Sequence, residues 1–93
     1  MPRPKKWRMV CCLPPVKEFA PVNAPCLSDE VVVMTVDEYE TIRLIDHECF
    51  SQEECSGYMR IARTTVQLVY NNARKKIADA LVDGRTLRIE GGE

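Results

Sequence analysis

The sequence predicts a mainly α domain with a trihelical helix-turn-helix core, and three observations point to this fold class. Glu54 follows Ser51 by three residues, and this spacing is typical of a helix-capping box. Ser51 opens the stretch SQEECSGYMRIARTTVQLVYNN. All six prolines lie within the first 25 residues, so no proline interrupts the later helices. Apolar residues recur at the spacing of two helices that cross and bury each other: Cys55, Met59, Ile61, Val66 and Val69.

Residues 1–30 are predicted to form an extended, basic and proline-rich arm, and residues 31–93 the helix-turn-helix domain with a C-terminal strand. Within the arm, Trp7 to Cys12 is the only short strand candidate, because Trp7, Met9 and Cys11 share one face. The β-branched run from Val31 to Thr35 predicts a second strand.

The first helix is predicted to begin at a second capping box, formed by Asp37 and Glu40, and to end near His47. Its apolar residues give it a buried face, so it is interpreted as the supporting helix of the trihelical core. These residues are Tyr39, Ile42, Ile45 and Cys49, with Leu44 beside them.

The third helix is predicted to run from Arg63 to about Val82, a length of about 30 Å at ~1.5 Å per residue. Gly84 follows it at the position where helices often end in a left-handed residue. Leu87 and Ile89 then alternate with polar residues, which predicts a last short amphipathic strand.

Length and composition limit the class of protein. A chain of 93 residues supports one domain, and its 45% apolar and 29% charged residues are ordinary for a soluble globular protein. There is no apolar run of ~18 residues and no apolar signal region at the N-terminus, so we expect a cytoplasmic protein that does not span a membrane.

Charge is strongly segregated although the net charge is only -1. Residues 29–54 hold nine acidic residues and one basic residue, Arg43. Two segments hold basic residues and no acid: residues 1–10, with Arg3, Lys5, Lys6 and Arg8, and residues 60–76, with Arg60, Arg63, Arg74, Lys75 and Lys76. Such runs are often only solvated surfaces, but here they coincide with a candidate recognition helix and an arm, which favours binding to a polyanion.

The cysteines indicate neither a disulfide framework nor a standard zinc module, because their number is odd and none forms a CxxC pair. One candidate for a metal site is His47 beside Cys49, with Cys11, Cys12 and Cys26 elsewhere in the chain. The spacing is irregular and free cysteine is common in cores, so we expect no metal and no cofactor. Glu53 and Glu54 are explained by helix capping and by the dipole of the helix. The sequence contains no catalytic motif, so we expect that the protein is not an enzyme.

Four stretches carry a resemblance to a known family: MPRPKK, TVDEYETIRLIDHECFSQEE, ARKKIADALVDG and LRIEGG. Together they resemble the domain of unknown function 134 family, small prokaryotic proteins regarded as DNA-binding proteins. The middle of the chain is more loosely similar to region four of sigma factors, the helix-turn-helix that reads promoter DNA. The resemblance implies a winged-helix-like or sigma region four-like DNA-binding domain with no known enzymatic activity.

Three residues depart from the usual pattern of that resemblance. Arg60 occupies the inter-helix turn, where Gly would tolerate a positive φ, and Ala62 stands where a Ser would cap the recognition helix. Leu68 replaces a basic residue on the side expected to face DNA. An exposed Leu there is suited either to a thymine methyl group or to a protein partner.

The preferred function is sequence-specific binding of double-stranded DNA in transcription regulation. The residues expected to read bases are Arg63, Thr64, Gln67 and Asn71. Those expected to contact the DNA backbone are Arg74, Lys75 and Lys76, with Arg3, Lys5, Lys6 and Arg8 of the arm reaching a neighbouring groove or the backbone.

The alternative is a protein-interaction module without base reading. In it, Leu68, Tyr70 and the acidic segment 29–54 would bind RNA polymerase or a second copy of the chain. In either case a homodimer is expected, formed through the strand Leu87–Ile89 or through Ile77 and Leu81 of the long helix.

Overall fold

The computed structural model describes residues 13–22 and 30–91, and this part of the chain is mainly α with a small three-stranded sheet. The mainly α prediction is therefore confirmed. The elements in chain order are β1 (Glu18–Phe19), β2 (Val31–Met34), α1 (Val36–Thr41), a π-helix (Ile42–His47), α2 (Gln52–Met59), α3 (Arg63–Asp83) and β3 (Thr86–Ile89). The strand predicted at Trp7–Cys12 lies outside the described residues.

The last strand, β3, is the centre of the sheet. It pairs antiparallel with β1 and parallel with β2, so that Leu87 lies between Phe19 and Val32. Two consequences follow. The described part of the predicted arm is an edge of this sheet rather than a separate extension, and both hydrogen-bonding edges of β3 are used inside the chain. Strand β3 therefore has no free edge for backbone pairing with a second copy of the chain.

The capping box of the first helix was predicted two residues too late. Thr35, not Asp37, is the N-cap: its side chain accepts from the backbone N–H of Glu38, and the Glu38 carboxylate accepts from the Thr35 N–H. Strand β2 ends at Met34, so the chain turns directly from strand into cap. The sequence Thr-Val-Asp-Glu satisfies the capping pattern as well as the later one does, and the position of the strand decides between them.

The π-helix follows α1 without a break, and it changes the direction in which successive side chains point. A π-helix has more residues per turn than an α-helix, because each backbone bond spans five residues, as in the 2.9 Å bond from the Glu48 N–H to the Arg43 carbonyl. Tyr39 and Ile42 face the sheet, whereas Leu44 and Ile45 face α2. A single helical segment therefore contributes to two separate cores.

Both cores are built along α3. We call the first the helix cluster, formed by Leu44, Cys55, Met59 and Val66, with Ile45, Phe50 and Ile61 packed around it. We call the second the sheet cluster, formed by Met34, Ala73 and Ile89, with Val36, Tyr39, Ile42, Ile77 and Leu87 packed around it. Of the residues predicted to be buried where the helices cross, Cys55, Met59, Val66 and Val69 are buried, and Ile61 is half-buried.

The ends of the long helix lie close to the predicted positions. Gly84 has φ 67°, and its N–H donates to the carbonyl of Ala80, which confirms it as the left-handed residue that ends α3.

None of the described helices is both long and apolar enough to cross a bilayer.

Candidate nucleic-acid interface

The turn between α2 and α3 is short and its first residue is strained. Arg60 has φ 61° and ψ 45°, a left-handed conformation that non-glycine residues seldom adopt. The N–H groups of Arg60 and Ile61 both donate to the carbonyl of Ser56, at 2.8 and 3.2 Å. The Ser56 hydroxyl donates to the Ile61 carbonyl, which closes the turn from the other side. The turn thus keeps the positive φ that Gly would tolerate there, and the bonds around Ser56 hold Arg60 in place.

Helix α3 starts at Arg63 without a side-chain cap. Its N-cap residue is Ala62, which has extended backbone and offers no oxygen to the free N–H groups of the first turn. No acidic residue lies in that first turn either. The start of α3 therefore presents N–H groups and a positive helix dipole to its surroundings, in contrast to α2, where Ser51 and Glu54 form the predicted capping box.

We call the exposed surface of the first half of α3 its outer face. It consists of Arg63, Thr64, Gln67, Leu68 and Asn71, all of which are exposed. Its four polar members make no side-chain hydrogen bond or ion pair within the described residues, while Val66, Val69, Tyr70 and Ala73 of the same helix are buried. The helical spacing that predicted this division between inside and outside was therefore correct.

Leu68 lies near the middle of the outer face, and 61% of its surface is exposed. Polar residues surround it at helical spacing: Thr64 one turn before it and Asn71 nearly one turn after it. The face thus combines hydrogen-bonding groups at its edges with one apolar side chain at its centre.

The aromatic ring of Tyr70 connects α3 to the π-helix. Tyr70 is buried, and its hydroxyl donates to the Asp46 carboxylate at 2.8 Å. Burial, followed by this hydrogen bond, raises the pKa of the Tyr70 hydroxyl above its usual value. Tyr70 was expected to be exposed to a protein partner in the alternative function; that expectation is wrong, because its ring packs inside and its hydroxyl is already bonded.

Arg74 lies over this tyrosine. Its guanidinium carbon is 5.5 Å from the centre of the Tyr70 ring, and its Nε is 3.7 Å from a carboxylate oxygen of Asp46. The side chain remains 62% exposed, so most of the guanidinium faces solvent. A cation held against an aromatic ring loses less side-chain entropy when it meets an anion, and Arg74 lies nearly one turn beyond Asn71 of the outer face.

The two lysines that follow differ from each other. Lys75 lies one turn beyond Asn71, and its ammonium pairs with Asp79 at 2.7 Å in a surface contact that solvent weakens. Lys76 points to the opposite side of α3, where its ammonium lies 2.8 Å from the Glu38 carboxylate, and it is half-buried. Lys76 was predicted to contact DNA phosphates, but in the structure it instead joins α3 to the capping box of α1.

Several predicted residues fall outside the described part of the chain. They are Arg3, Lys5, Lys6 and Arg8 of the arm, and Cys11, Cys12 and Cys26. Of the other cysteines, Cys49 is exposed and Cys55 is buried, and both are free thiols. Within residues 13–22 and 30–91, no group of three or more His, Cys, Asp and Glu side chains could hold a metal ion.

Sequence reasoning missed two features around the site. The first is the contact of Asp46, Tyr70 and Arg74, which joins residues 24 positions apart in the chain. The second is the ion pair of the buried Glu40 with the half-buried Arg43, in which both carboxylate oxygens accept from the guanidinium at 2.9 Å. Only the spacing of Glu40 and Arg43, three residues apart on a helix, was a signal that the sequence offered.

Comparison with known proteins gives a match over the whole chain. The family described as "Protein of unknown function DUF134" matches residues 1–93. A UPF0251 protein of Desulfitobacterium hafniense strain Y51 is 60% identical over 93 residues, which cover 100% of this chain and 74% of that protein. A UPF0251 protein of Caldanaerobacter subterraneus subsp. tengcongensis is 50% identical over 92 residues, covering 99% of this chain and 78% of that protein.

A third relative, a UPF0251 protein of Moorella thermoacetica, is 47% identical over 92 residues, which cover 99% of this chain and 62% of that protein. No solved structure matches the chain. The likeness to region four of sigma factors therefore stays a prediction.

Proposed function

This chain belongs to the family described as "Protein of unknown function DUF134", and we propose that it binds double-stranded DNA sequence-specifically and regulates transcription. In this proposal α2, the turn at Arg60 and α3 form a helix-turn-helix, and α1 with the π-helix supports it. The chain acts in the cytoplasm, without a cofactor and without catalysis.

The observation that carries the proposal is the outer face of α3. Its polar side chains are Arg, Thr, Gln and Asn, and Arg, Gln and Asn are the types that make bidentate hydrogen bonds to base edges in the major groove. These groups have no partner within the described residues, so binding to bases would break no internal contact. The face follows directly after the short turn, as the second helix of a helix-turn-helix does.

Leu68 fits this proposal as an apolar contact. A side chain in the middle of the reading helix, flanked by hydrogen-bonding residues, is placed to meet a thymine methyl group. Its exposure also favours the alternative, a protein-interaction module that binds polymerase or a second copy. Tyr70 cannot contribute to such a protein contact, because it is buried.

The phosphate contacts follow from the exposed cations around the outer face. Arg60 lies just before its beginning and Arg74 and Lys75 at its far end, and all three are exposed. Arg74 is held beside the outer face by Tyr70 and Asp46. Lys75 pairs with Asp79 at the surface, and a DNA phosphate would replace Asp79 as its partner. Lys76 is left out because of its bond to Glu38. The arm residues Arg3, Lys5, Lys6 and Arg8 are proposed as further backbone contacts.

We also propose a homodimer, and the structure leaves fewer residues for its contact than the sequence indicated. Two copies would cover two half-sites of an operator, which a single reading helix cannot do. Of the predicted surfaces, Ile89 is buried and Leu87 and Ile77 pack in the sheet cluster. Leu81 remains, and it is 77% exposed. Val82, which follows it, is 80% exposed.

Selection of bound sequences from a random duplex library, with the full chain, tests the proposal. We expect an enriched site of a few base pairs per copy, and binding that weakens with salt. With about five phosphates neutralised, log K should fall with log salt with a slope of about -4 to -5. No enrichment together with a flat salt titration would remove DNA as the ligand and leave the protein-interaction module.

A further inference from the structure

A cavity of about 540 Å³ lies between the second half of α3, the sheet and α1. Its walls are almost entirely apolar, and they include Ile77 of α3, Leu87 of β3 and Ile42 at the start of the π-helix. Phe19 and Leu81 also line it, and both are more than half exposed. The volume is within the range of pockets that hold small organic molecules in other proteins.

One charged residue, Arg85, is among the described residues that line this cavity. Its Nε is buried and has no hydrogen-bond partner. The other guanidinium nitrogens lie 3.5 Å from carboxylate oxygens of Glu30 and Asp83, respectively. A buried N–H without an acceptor is unfavourable, because it has lost water and gained nothing in exchange. An apolar cavity is therefore lined in part by a residue whose buried donor lacks an acceptor.

We propose that this cavity binds a small, mainly apolar molecule that carries a neutral carbonyl group, such as an ester, lactone or amide. The apolar part fills the space between α3 and the sheet, and the carbonyl oxygen accepts the hydrogen bond of the Arg85 Nε–H. A neutral acceptor fits better than a carboxylate, because Glu30 and Asp83 already bring two negative charges to this one guanidinium.

The position of the cavity also gives the bound molecule a role in regulation, and this step rests on the proposed function. Helix α3 carries the outer face in its first half and the cavity wall in its second half. A molecule that fixes the second half against the sheet stabilises one orientation of the whole helix. DNA affinity and ligand affinity would then change each other by the same factor.

The test uses the protein without DNA and three probes whose apolar chains are of similar length: methyl octanoate, octanoate and octylamine. We expect methyl octanoate to raise the thermal unfolding midpoint in a saturable manner, octanoate to raise it less, and octylamine to leave it unchanged. Because no DNA is present, a failure here is separate from a failure of the proposed DNA binding. Equal effects of the ester and the carboxylate would overturn the choice of a neutral acceptor.

Two variants locate the binding. Arg85→Met keeps the apolar length but removes the donor, and it should weaken methyl octanoate binding about tenfold, as the loss of one hydrogen bond to a charged group does. Ala80→Phe places a ring in the cavity and should abolish binding. Val33→Thr, at an exposed strand position outside the cavity, is the matched control and should bind as the native chain does.

Three outcomes would overturn the proposal. The first is no saturable effect of methyl octanoate on the native chain. The second is native binding in both Arg85→Met and Ala80→Phe. The third is a native chain that sediments as a dimer, does not bind the ester and becomes monomeric in Ala80→Phe, because the cavity would then be a contact between copies.

Discussion

The helix cluster and the sheet cluster lie along the same helix, yet they are packed very differently. In the helix cluster, Leu44, Cys55, Met59 and Val66 are at most 1% exposed. The sheet cluster buries three residues, and five half-buried side chains surround them next to the cavity of about 540 Å³. One half of α3 has a closed core and the other half an open one.

The difference has a geometric cause. Two helices that cross bring several long side chains together from both sides, and the π-helix adds Leu44. Strands of two and four residues cover much less of a helix, so the second half of α3 extends beyond the sheet that supports it. Stability is thus expected to reside in the half that carries the outer face, and ligand binding in the other half.

The largest expected effect is loss of stability in the helix cluster. Met59→Ala removes a fully buried side chain from a closed core and should lower the free energy of unfolding by about 2–5 kcal/mol. Ile77→Ala in the sheet cluster should cost only about 1 kcal/mol, because Ile77 is half-buried and already borders a cavity. Urea denaturation of both variants measures the difference. Equal losses would mean that the two cores are not packed differently.

The next expected effect is on DNA binding, and it separates residues that contact bases from residues that contact phosphates. Gln67→Ala should weaken binding to the selected site by about 1–3 kcal/mol and relax preference at one base pair, with an unchanged salt slope. Lys75→Ala should weaken binding to all sequences alike and reduce the salt slope by about one unit. Binding titrations at several salt concentrations measure both. If the two variants behave alike in specificity and slope, the assignment of roles along α3 is wrong.

The closed core also predicts a pH dependence. Burial, with the negative charge of Glu40 as a second cause, raises the pKa of the Cys55 thiol from 9.0 to about 11. Between these two values the folded chain keeps the thiol proton that the unfolded chain has lost. The free energy of unfolding therefore has its full value below pH 9.0 and falls between pH 9.0 and about 11. The decrease should be up to about 1.4 kcal/mol per pH unit.

Urea denaturation across this pH range, compared with Cys55→Ala, isolates the effect of the thiol. The variant should be less stable at every pH, because a small cavity replaces the sulfur, but its stability should change less between pH 9.0 and about 11. Parallel curves for the two proteins would show that Cys55 is not held in a closed core.

The smallest effect is expected at the turn. Arg60→Gly places a residue that tolerates positive φ at φ 61° and should raise the free energy of unfolding by about 0.5–1 kcal/mol. Arg60→Ala is the matched control, since it removes the same charge but keeps the strain, and it should not stabilise. A stabilising Arg60→Ala would assign the effect to charge instead of backbone conformation.

The sequence by itself determined the features that depend on neighbours in the chain. The capping box at Ser51, the end of α3 at Gly84 and the outward direction of Arg63, Gln67 and Asn71 were all predicted correctly. Each rests on interactions within about one or two helical turns, which residue spacing records directly. The family also followed from the sequence, because its stretches cover the chain from beginning to end.

The tertiary structure alone decided which of several local possibilities is used. Thr35 and Asp37 both satisfy the capping pattern, and the end of β2 at Met34 selects Thr35. Lys76 resembles its neighbours Arg74 and Lys75 in the sequence, yet its ammonium bonds the carboxylate of Glu38, 38 positions away. Such contacts form only after distant segments have met, and the spacing of residues along one helix carries no record of them.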